Sequence, residues 1–231
     1  MLVACRVTGR RIVSLVSSAH LVLFLIAAAL IVLPLSAAAF KEGPYPNVTG
    51  GFGEQSCRVC HLDNPLNAPG GRLDIEGVPP TYTGGERYRI TVSIARDGLR
   101  RGGFEIAARF ASGKDRGKQA GVWKAIDDRV QLIPGATDPA LTFVQHNLVG
   151  SRAPDRGVNR WTVEWTAPAA ALPVQFNVAA NASNNDDSPL GDFIYVRTVR
   201  SAPAPTRPRE HAGGASSPET RRRRSEARMR R

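Results

Sequence analysis

Short stretches of alternating polar and apolar residues recur along the chain after residue 85. The clearest, Glu86–Ala95, alternates over eight positions, which is the pattern of a strand with one buried face. Five further stretches share this pattern and two share it more weakly, so we expect a mainly β domain. The clear stretches are Gly103–Phe110, Leu141–Leu148, Arg160–Thr166, Val174–Ala180 and Phe193–Val199, and the weaker ones are Val122–Ile126 and Arg129–Ile133.

Turn signals such as Asp97-Gly98 and Pro134-Gly135 separate these stretches at short intervals. Many short strands with frequent turns favour an antiparallel, Ig-like β-sandwich, which we place at residues 86–200. Trp161 and Trp165 lie four positions apart in one strand. They therefore face the same side, and we expect both in the core.

The first 39 residues have a different pattern, with three arginines and no acidic residue ahead of the apolar run Leu21–Leu35. The run ends near Ala37-Ala38-Ala39. Basic, apolar and small-residue regions in this order are typical of a secretory signal peptide, with Phe40 as the first mature residue. An uncleaved membrane anchor is the alternative. Both predict an exported, periplasmic domain.

The net charge is concentrated at the two ends of the chain. Of the formal +11, residues 1–39 contribute +3, and residues 201–231, with nine arginines and three glutamates, contribute +6. This leaves +2 for residues 40–200, which argues against a nucleic-acid-binding domain. Residues 201–231 are rich in Arg, Pro, Ser and Gly, so we expect a disordered tail, with weak contact to an anionic membrane or envelope polymer as a possible role.

The strongest chemical signal is Cys57-Arg-Val-Cys60-His61, within the Gly- and Pro-rich residues 40–85. C-x-x-C-H is the attachment signature of haem c: the two thiols add to the haem vinyl groups, and the histidine binds the iron. A disulfide, half of a zinc site and a thioredoxin-like pair are the alternatives. Zinc would require a second ligand pair, and a redox pair would require a strand-to-helix junction. We therefore predict residues 40–85 to be an extended loop segment carrying one covalent haem.

Composition restricts the second axial ligand of such a haem. The two methionines, Met1 and Met229, lie outside the predicted domain, as do His20 and His211. Only His146 remains, and elimination alone leaves two alternatives open: ligation of the iron by His146, and an open or water-bound position.

The order of motifs resembles bacterial exported proteins that join a monohaem c-type site to a Reeler-like β-sandwich. This resemblance covers residues 43–200 and implies that fold, with His61 and His146 as axial ligands, because a histidine commonly precedes the Trp-Thr-Ala-Pro strand in the group. The long arginine tail and the lack of Reeler-type disulfides depart from the group. The matching stretches begin at Gly50 (GGFGEQSCRVCH), Tyr82 (YTGGERYRITV), Arg101 (RGGFEIAARF), Trp161 (WTVEWTAP) and Phe176 (FNVAANASNND).

Other acidic residues give weaker signals. Asp186, Asp187 and Asp192 have a spacing that a calcium site could use, but in an Asn-rich loop this spacing is more typical of turns. Glu105 and Glu164 are isolated carboxylates on predicted strands, and nothing marks them as an acid–base pair.

The sequence thus favours a non-enzymatic carrier that passes single electrons to an unidentified redox protein. Two alternatives remain open: a haem enzyme or gas sensor with an open sixth coordination position, and a β-sandwich binding module in which haem only fastens the N-terminal loop.

Overall fold

The computed structural model describes residues 40–205 of the 231-residue chain. These residues contain one short 3₁₀ turn, Cys57–Val59, and ten β-strands. The strands are β1 (Gly71–Glu76), β2 (Thr81–Tyr82), β3 (Arg87–Arg96), β4 (Arg101–Phe110), β5 (Val122–Ala125), β6 (Val130–Pro134), β7 (Thr142–His146), β8 (Val158–Thr166), β9 (Val174–Ser183) and β10 (Phe193–Pro203).

The strands form two sheets, which confirms the predicted β-sandwich. Sheet I has the order β1-β3-β8-β5, and sheet II has the order β2-β10-β9-β4-β7-β6. All pairings are antiparallel except the short parallel pair of β2 and β10. Each of the eight predicted strands is present, with ends shifted by a few residues.

The prediction that residues 40–85 are all loop was wrong. Strand β1 pairs with β3 along its whole length, from Gly71 opposite Arg96 to Glu76 opposite Thr91. Its alternation of Leu73 and Ile75 with polar residues is short, and the glycines and prolines around it obscured the signal. The sandwich also extends past the predicted boundary at residue 200, because β10 continues to Pro203.

The main core fills the space between the sheets. Alternate residues of β3 and β8 point into it, as their alternating burial shows. Trp161 and Trp165 are both fully buried there, as predicted. Trp161 stacks on Phe104 of β4 at 4.4 Å between ring centroids, and Trp165 meets Phe176 of β9 edge to face at 4.8 Å. These aromatic pairs connect the two sheets.

Strands β4 and β9 are buried on both faces, unlike the strands of sheet I. Phe104, Ile106 and Ala108 of β4 belong to the main core, whereas the alternate residues Glu105 and Arg109 are also buried. A second layer must therefore cover the outer face of sheet II. That layer is the N-terminal segment, residues 40–70, which carries the C-x-x-C-H turn.

The predicted signal peptide or anchor, residues 1–39, and most of the predicted tail lie outside the described residues. Between residues 40 and 205, no helix is long and apolar enough to span a membrane.

Candidate functional site: a pocket between the C-x-x-C-H turn and sheet II

The C-x-x-C-H motif forms a single tight turn. The Ser56 hydroxyl caps it by accepting a bond from the Arg58 N–H, and the His61 N–H donates to the Cys57 carbonyl at 3.2 Å. The same carbonyl accepts from the Cys60 N–H at 3.3 Å. The turn therefore presents Cys57 and the His61 side chain together, as the motif predicts. Both thiols are free, so the alternative of a Cys57–Cys60 disulfide is not what the structure contains.

The segment before the turn is fixed to the outer face of sheet II by buried polar contacts. The Glu105 carboxylate accepts the backbone N–H groups of Asn47 and Val48, each at 3.0 Å. The Arg109 guanidinium pairs with the Glu54 carboxylate, and both side chains are almost fully buried. Because β4 supplies both anchors, the turn has a defined position over the sheet.

The segment after the turn is fastened to the loop between β9 and β10. The Asn64 side-chain amide donates to the Asp192 carbonyl at 2.8 Å, and the Gly191 N–H donates to the Asp63 carboxylate. These bonds bring the loop Pro189–Asp192 against the imidazole of His61. Residues more than 120 positions apart in sequence thereby share one site.

The His61 ring is held by its Nδ1 atom. This atom lies 2.9 Å from the Asp192 Oδ2 and 3.2 Å from the Pro189 carbonyl oxygen. Both partners are acceptors, so Nδ1 carries the proton and donates. The Nε2 lone pair is then free to bind a metal, the arrangement that a second-shell carboxylate enforces at metal-bound histidines.

Asn181 of β9 steadies this contact. Its side-chain Nδ2 donates to Asp192 Oδ2 at 2.9 Å and lies 3.3 Å from His61 Nε2 and 3.5 Å from Nδ1. The amide nitrogen carries two protons, so it can donate to Asp192 and to His61 Nε2 together, and a metal at Nε2 would replace the second contact. The Asn181 Oδ1 is buried and has no hydrogen-bond partner among the described residues.

His146 ends β7 and is 6% exposed. Its Nδ1 lies 3.0 Å from the Phe104 backbone N and 3.2 Å from the Phe104 carbonyl oxygen. Burial lowers the pKa of His146 from 6.5 to about 4, and hydrogen bonds to the backbone of Phe104 and Phe40 oppose this only in part. The imidazole is therefore neutral near pH 7, the form that binds a metal.

Gly103 explains how the His146 ring fits beside β4. A Cβ at this position would lie 2.7 Å from the His146 Cε1 and 3.2 Å from its Nε2. Gly103 is paired in register with Asn181, the residue that touches His61. His146, at the end of β7, thus lies beside Gly103, and His61, on the N-terminal segment, lies beside the paired residue Asn181.

One cavity brings the predicted site residues together. Its volume is about 150 Å³, and its walls are mostly apolar. All four predicted residues line it: Cys57, Cys60, His61 and His146. Apolar walls with a few polar groups are typical of cofactor sites.

Cys57 and Glu105 also have shifted pKa values. Burial raises the pKa of the Cys57 thiol to about 12, and the Glu105 carboxylate adds to the rise. Burial also raises the pKa of Glu105 to about 7, although the Val48 N–H and the Gln145 amide favour its charged form. The folded chain therefore holds Cys57 as a neutral thiol, which is a poor nucleophile.

The calcium alternative is not supported by the positions of its residues. Asp192 turns inward to His61, whereas Asp186 accepts the Ser188 N–H and Asp187 pairs with Lys41 on the surface. Within residues 40–205, no three His, Cys, Asp or Glu side chains cluster as a metal site. Zinc bound by protein ligands alone is therefore also unsupported.

Sequence reasoning missed three polar residues of the site. Asp192 was considered only for calcium, and Glu105 was considered an isolated strand residue. Asn181 carried no signal for this site. Their contacts depend on which strands pair and in which register, and no local pattern reports that.

Comparisons with known proteins inform the fold only. Neither a protein-family model nor a curated relative matches the chain. The structure is similar to the human F-spondin reeler domain, with a TM-score of 0.42 and 23% identity over 61% of this chain and 93% of that one. For the Reelin-N domain of F-spondin the TM-score is 0.43, with 21% identity over 64% of this chain and 96% of that one. For a cohesin module from Clostridium perfringens the TM-score is 0.38, with 11% identity over 58% of this chain and 98% of that one.

Reeler domains are thus among the solved structures to which this structure is similar. The likeness is distant, and the β-sandwich assignment rests on the strand pairing itself.

Proposed function

We propose that the protein is an exported c-type monohaem protein that transfers single electrons. In this proposal Cys57 and Cys60 hold the haem covalently, and His61 and His146 bind its iron. The observation that carries the proposal is that these four residues, from two distant parts of the sequence, line one apolar pocket.

Several properties of the pocket fit a haem. The two thiols are free, and their spacing matches the two vinyl groups of the macrocycle. His61 offers Nε2 because Nδ1 donates to Asp192, and His146 is neutral because it is buried. The Gly103 position leaves room for the His146 ring, which any side chain there would displace.

Two histidine ligands favour electron transfer over substrate chemistry. With both axial positions taken, the bound iron would supply a one-electron couple and no open coordination position. The protein's part is to hold both imidazoles and to exclude water with the segment that Glu105 and Arg109 fix to the sheet.

Exposed apolar side chains near the pocket would allow a redox partner to approach. Phe40, Tyr45 and Val59 line the cavity and are 48%, 69% and 49% exposed. Leu62 and Leu190, which flank His61 and the Pro189 loop, are 63% and 58% exposed. Apolar surface around a site is typical of a contact area for another protein.

The export part of the proposal rests on residues 1–39 alone. Their signal-like pattern would deliver the chain to the periplasm, and the raised pKa of Cys57 in the folded chain supports attachment of haem before folding. Contact of the basic tail with anionic lipid or envelope polymer belongs to the same proposal.

The test uses the full chain made in a host with c-type haem maturation. Haem that stays with the protein after denaturation, a low-spin oxidised spectrum, and a redox titration with one electron are the expected results. The Cys57→Ser/Cys60→Ser double variant should lose the bound haem. The third cysteine of the chain, Cys5, lies within the predicted signal peptide, and Cys5→Ser should keep the haem.

Two other results would overturn the proposal in different ways. Rapid carbon monoxide binding by the reduced wild-type protein would indicate an open sixth position and a haem enzyme or gas sensor. A folded wild-type protein without haem would leave a β-sandwich binding module.

A further inference from the structure

Asp192 is a buried acidic residue that the proposed ligand set does not use. It is 1% exposed, although an aspartate at the end of a surface loop is usually solvated. Its Oδ2 accepts from His61 Nδ1 and from Asn181 Nδ2, each at 2.9 Å, and its Oδ1 accepts the Asn184 N–H at 3.3 Å. No arginine or lysine pairs with it in the described residues.

The loop before Asp192 is built to deliver it to this position. Gly191 has a φ of 79°, which an L side chain rarely adopts, and its N–H donates to Asp63. The Asp192 carbonyl accepts the Asn64 amide. The residues that follow the C-x-x-C-H turn therefore hold the backbone at Gly191 and Asp192, which fixes the position from which the carboxylate reaches His61.

The His61 ring could be oriented without the Asp192 carboxylate, because the Pro189 carbonyl is a second acceptor. This carbonyl lies 3.2 Å from the same Nδ1 atom and could accept the proton by itself. The carboxylate is closer and adds a negative charge, and a charge-assisted bond is about twice as strong as a neutral one.

We infer that Asp192 is a positioning residue that lowers the reduction potential of the haem proposed above. The carboxylate draws the Nδ1 proton of His61 toward itself and increases the electron density at Nε2. A more basic ligand and a nearby negative charge both stabilise Fe(III) relative to Fe(II). Reduction adds one electron from the redox partner, and no bond to His61 forms or breaks.

The Asp192→Asn variant tests the effect of the carboxylate charge separately from the effect of its hydrogen bonds to His61 and Asn181. Both strong bonds fall on one oxygen, Oδ2, so an asparagine can keep that oxygen toward His61 and Asn181. Its amide nitrogen would then replace Oδ1, whose only bond is the long one from Asn184. The variant thus loses the charge and keeps the ring orientation. Asp192→Ala removes both and leaves Nδ1 to the Pro189 carbonyl.

A matched control exists in the same loop. Asp186 is exposed, does not line the cavity, and accepts bonds from Ser188 N–H and the Asn184 amide. Asp186→Asn therefore removes one negative charge at a similar place in the sequence without touching His61.

The experiment is a spectroelectrochemical titration of the haem-loaded full chain and these three variants. Asp192→Asn should keep the covalent haem and the low-spin spectrum while its potential rises; a tenfold loss of preference for Fe(III) corresponds to ~59 mV. The reduction potential of Asp192→Ala should rise at least as much, and that of Asp186→Asn should stay close to the wild-type value.

This inference rests on the proposed haem function, and its failure is distinguishable. If wild type and all variants carry haem but the potential of Asp192→Asn differs no more than that of Asp186→Asn, the inference is wrong and the function stands. If the wild type carries no haem, the proposed function itself is wrong. If Asp192→Ala fails to fold, Asp192→Asn still decides the question.

Discussion

The two faces of sheet II are both buried, but their chemistry is opposite. The inner face, with Phe104, Ile106 and Phe176, belongs to the apolar core between the two sheets. The outer face carries Glu105 and Arg109 under the N-terminal segment. Apolar packing is tolerant and non-directional, so the inner face sets the fold. Buried polar groups need specific partners, so the outer face sets where the C-x-x-C-H turn lies.

The largest effect on stability should come from the apolar core against the inner face, where Trp165 of β8 packs. Trp165→Ala removes a fully buried ring that packs on Tyr82, Tyr88 and Phe176, and we expect a loss of about 3–5 kcal/mol in the free energy of unfolding. Chemical denaturation of the haem-loaded protein measures it. The haem spectrum of the folded variant should be unchanged, and a change to a high-spin form would show that the two faces are not separable.

Glu105→Gln should change how stability depends on pH. Because burial raises the pKa of Glu105 from 4.5 to about 7, the folded state binds more protons than the unfolded state between these values. Its contribution is therefore fully favourable below pH 4.5 and is lost as pH rises through 7. The free energy of unfolding of the wild type should fall by roughly 3 kcal/mol relative to the variant between acidic and alkaline pH.

His146 acts in the opposite direction, since its lowered pKa makes the folded state less stable as pH falls from 6.5 toward 4. Comparing Glu105→Gln with wild type at each pH cancels this contribution. Parallel pH profiles for the two proteins would contradict the assignment to Glu105.

Gly103→Ala should disturb the site more than the fold. The added Cβ would meet the His146 ring at 2.7 Å, so the ring must shift, at a cost of about 1–3 kcal/mol for overpacking. We expect the low-spin spectrum to weaken and carbon monoxide to bind after reduction.

A glycine outside the cavity provides the control. A Cβ at Gly71 of β1 would meet the Tyr195 side chain, and neither residue lines the cavity. Gly71→Ala should therefore reduce stability and leave the haem spectrum as in wild type. Equal spectra for the two alanine variants would mean that the His146 ring position does not matter.

The smallest effect should come from a residue on neither face. Asp115 forms an exposed ion pair with Lys118 at 2.8 Å in the turn after β4. Solvent screens such pairs, so Asp115→Asn should produce no measurable change in denaturation midpoint or spectrum. A clear loss of stability would show that this turn supports the sheet in a way that the ion pair does not account for.

Local patterns were sufficient to predict the inner face and the turn. Alternation identified eight of the ten strands, and the C-x-x-C-H spacing identified Cys57, Cys60 and His61. The outer face could not be predicted in the same way, because Glu105 and Asp192 obtain their roles from segments far away in sequence. Strand β1 escaped notice because its two inward apolar residues are surrounded by turn-forming ones.

The most direct test of the account is whether His146 and His61 bind the same iron. The measurement is the oxidised spectrum of His146→Ala beside wild type, each with its haem covalently attached, followed by reduction under carbon monoxide. The account predicts a low-spin wild type that carbon monoxide leaves unchanged and a variant that becomes high-spin and binds carbon monoxide. A variant with the wild-type spectrum and no carbon monoxide binding would contradict it.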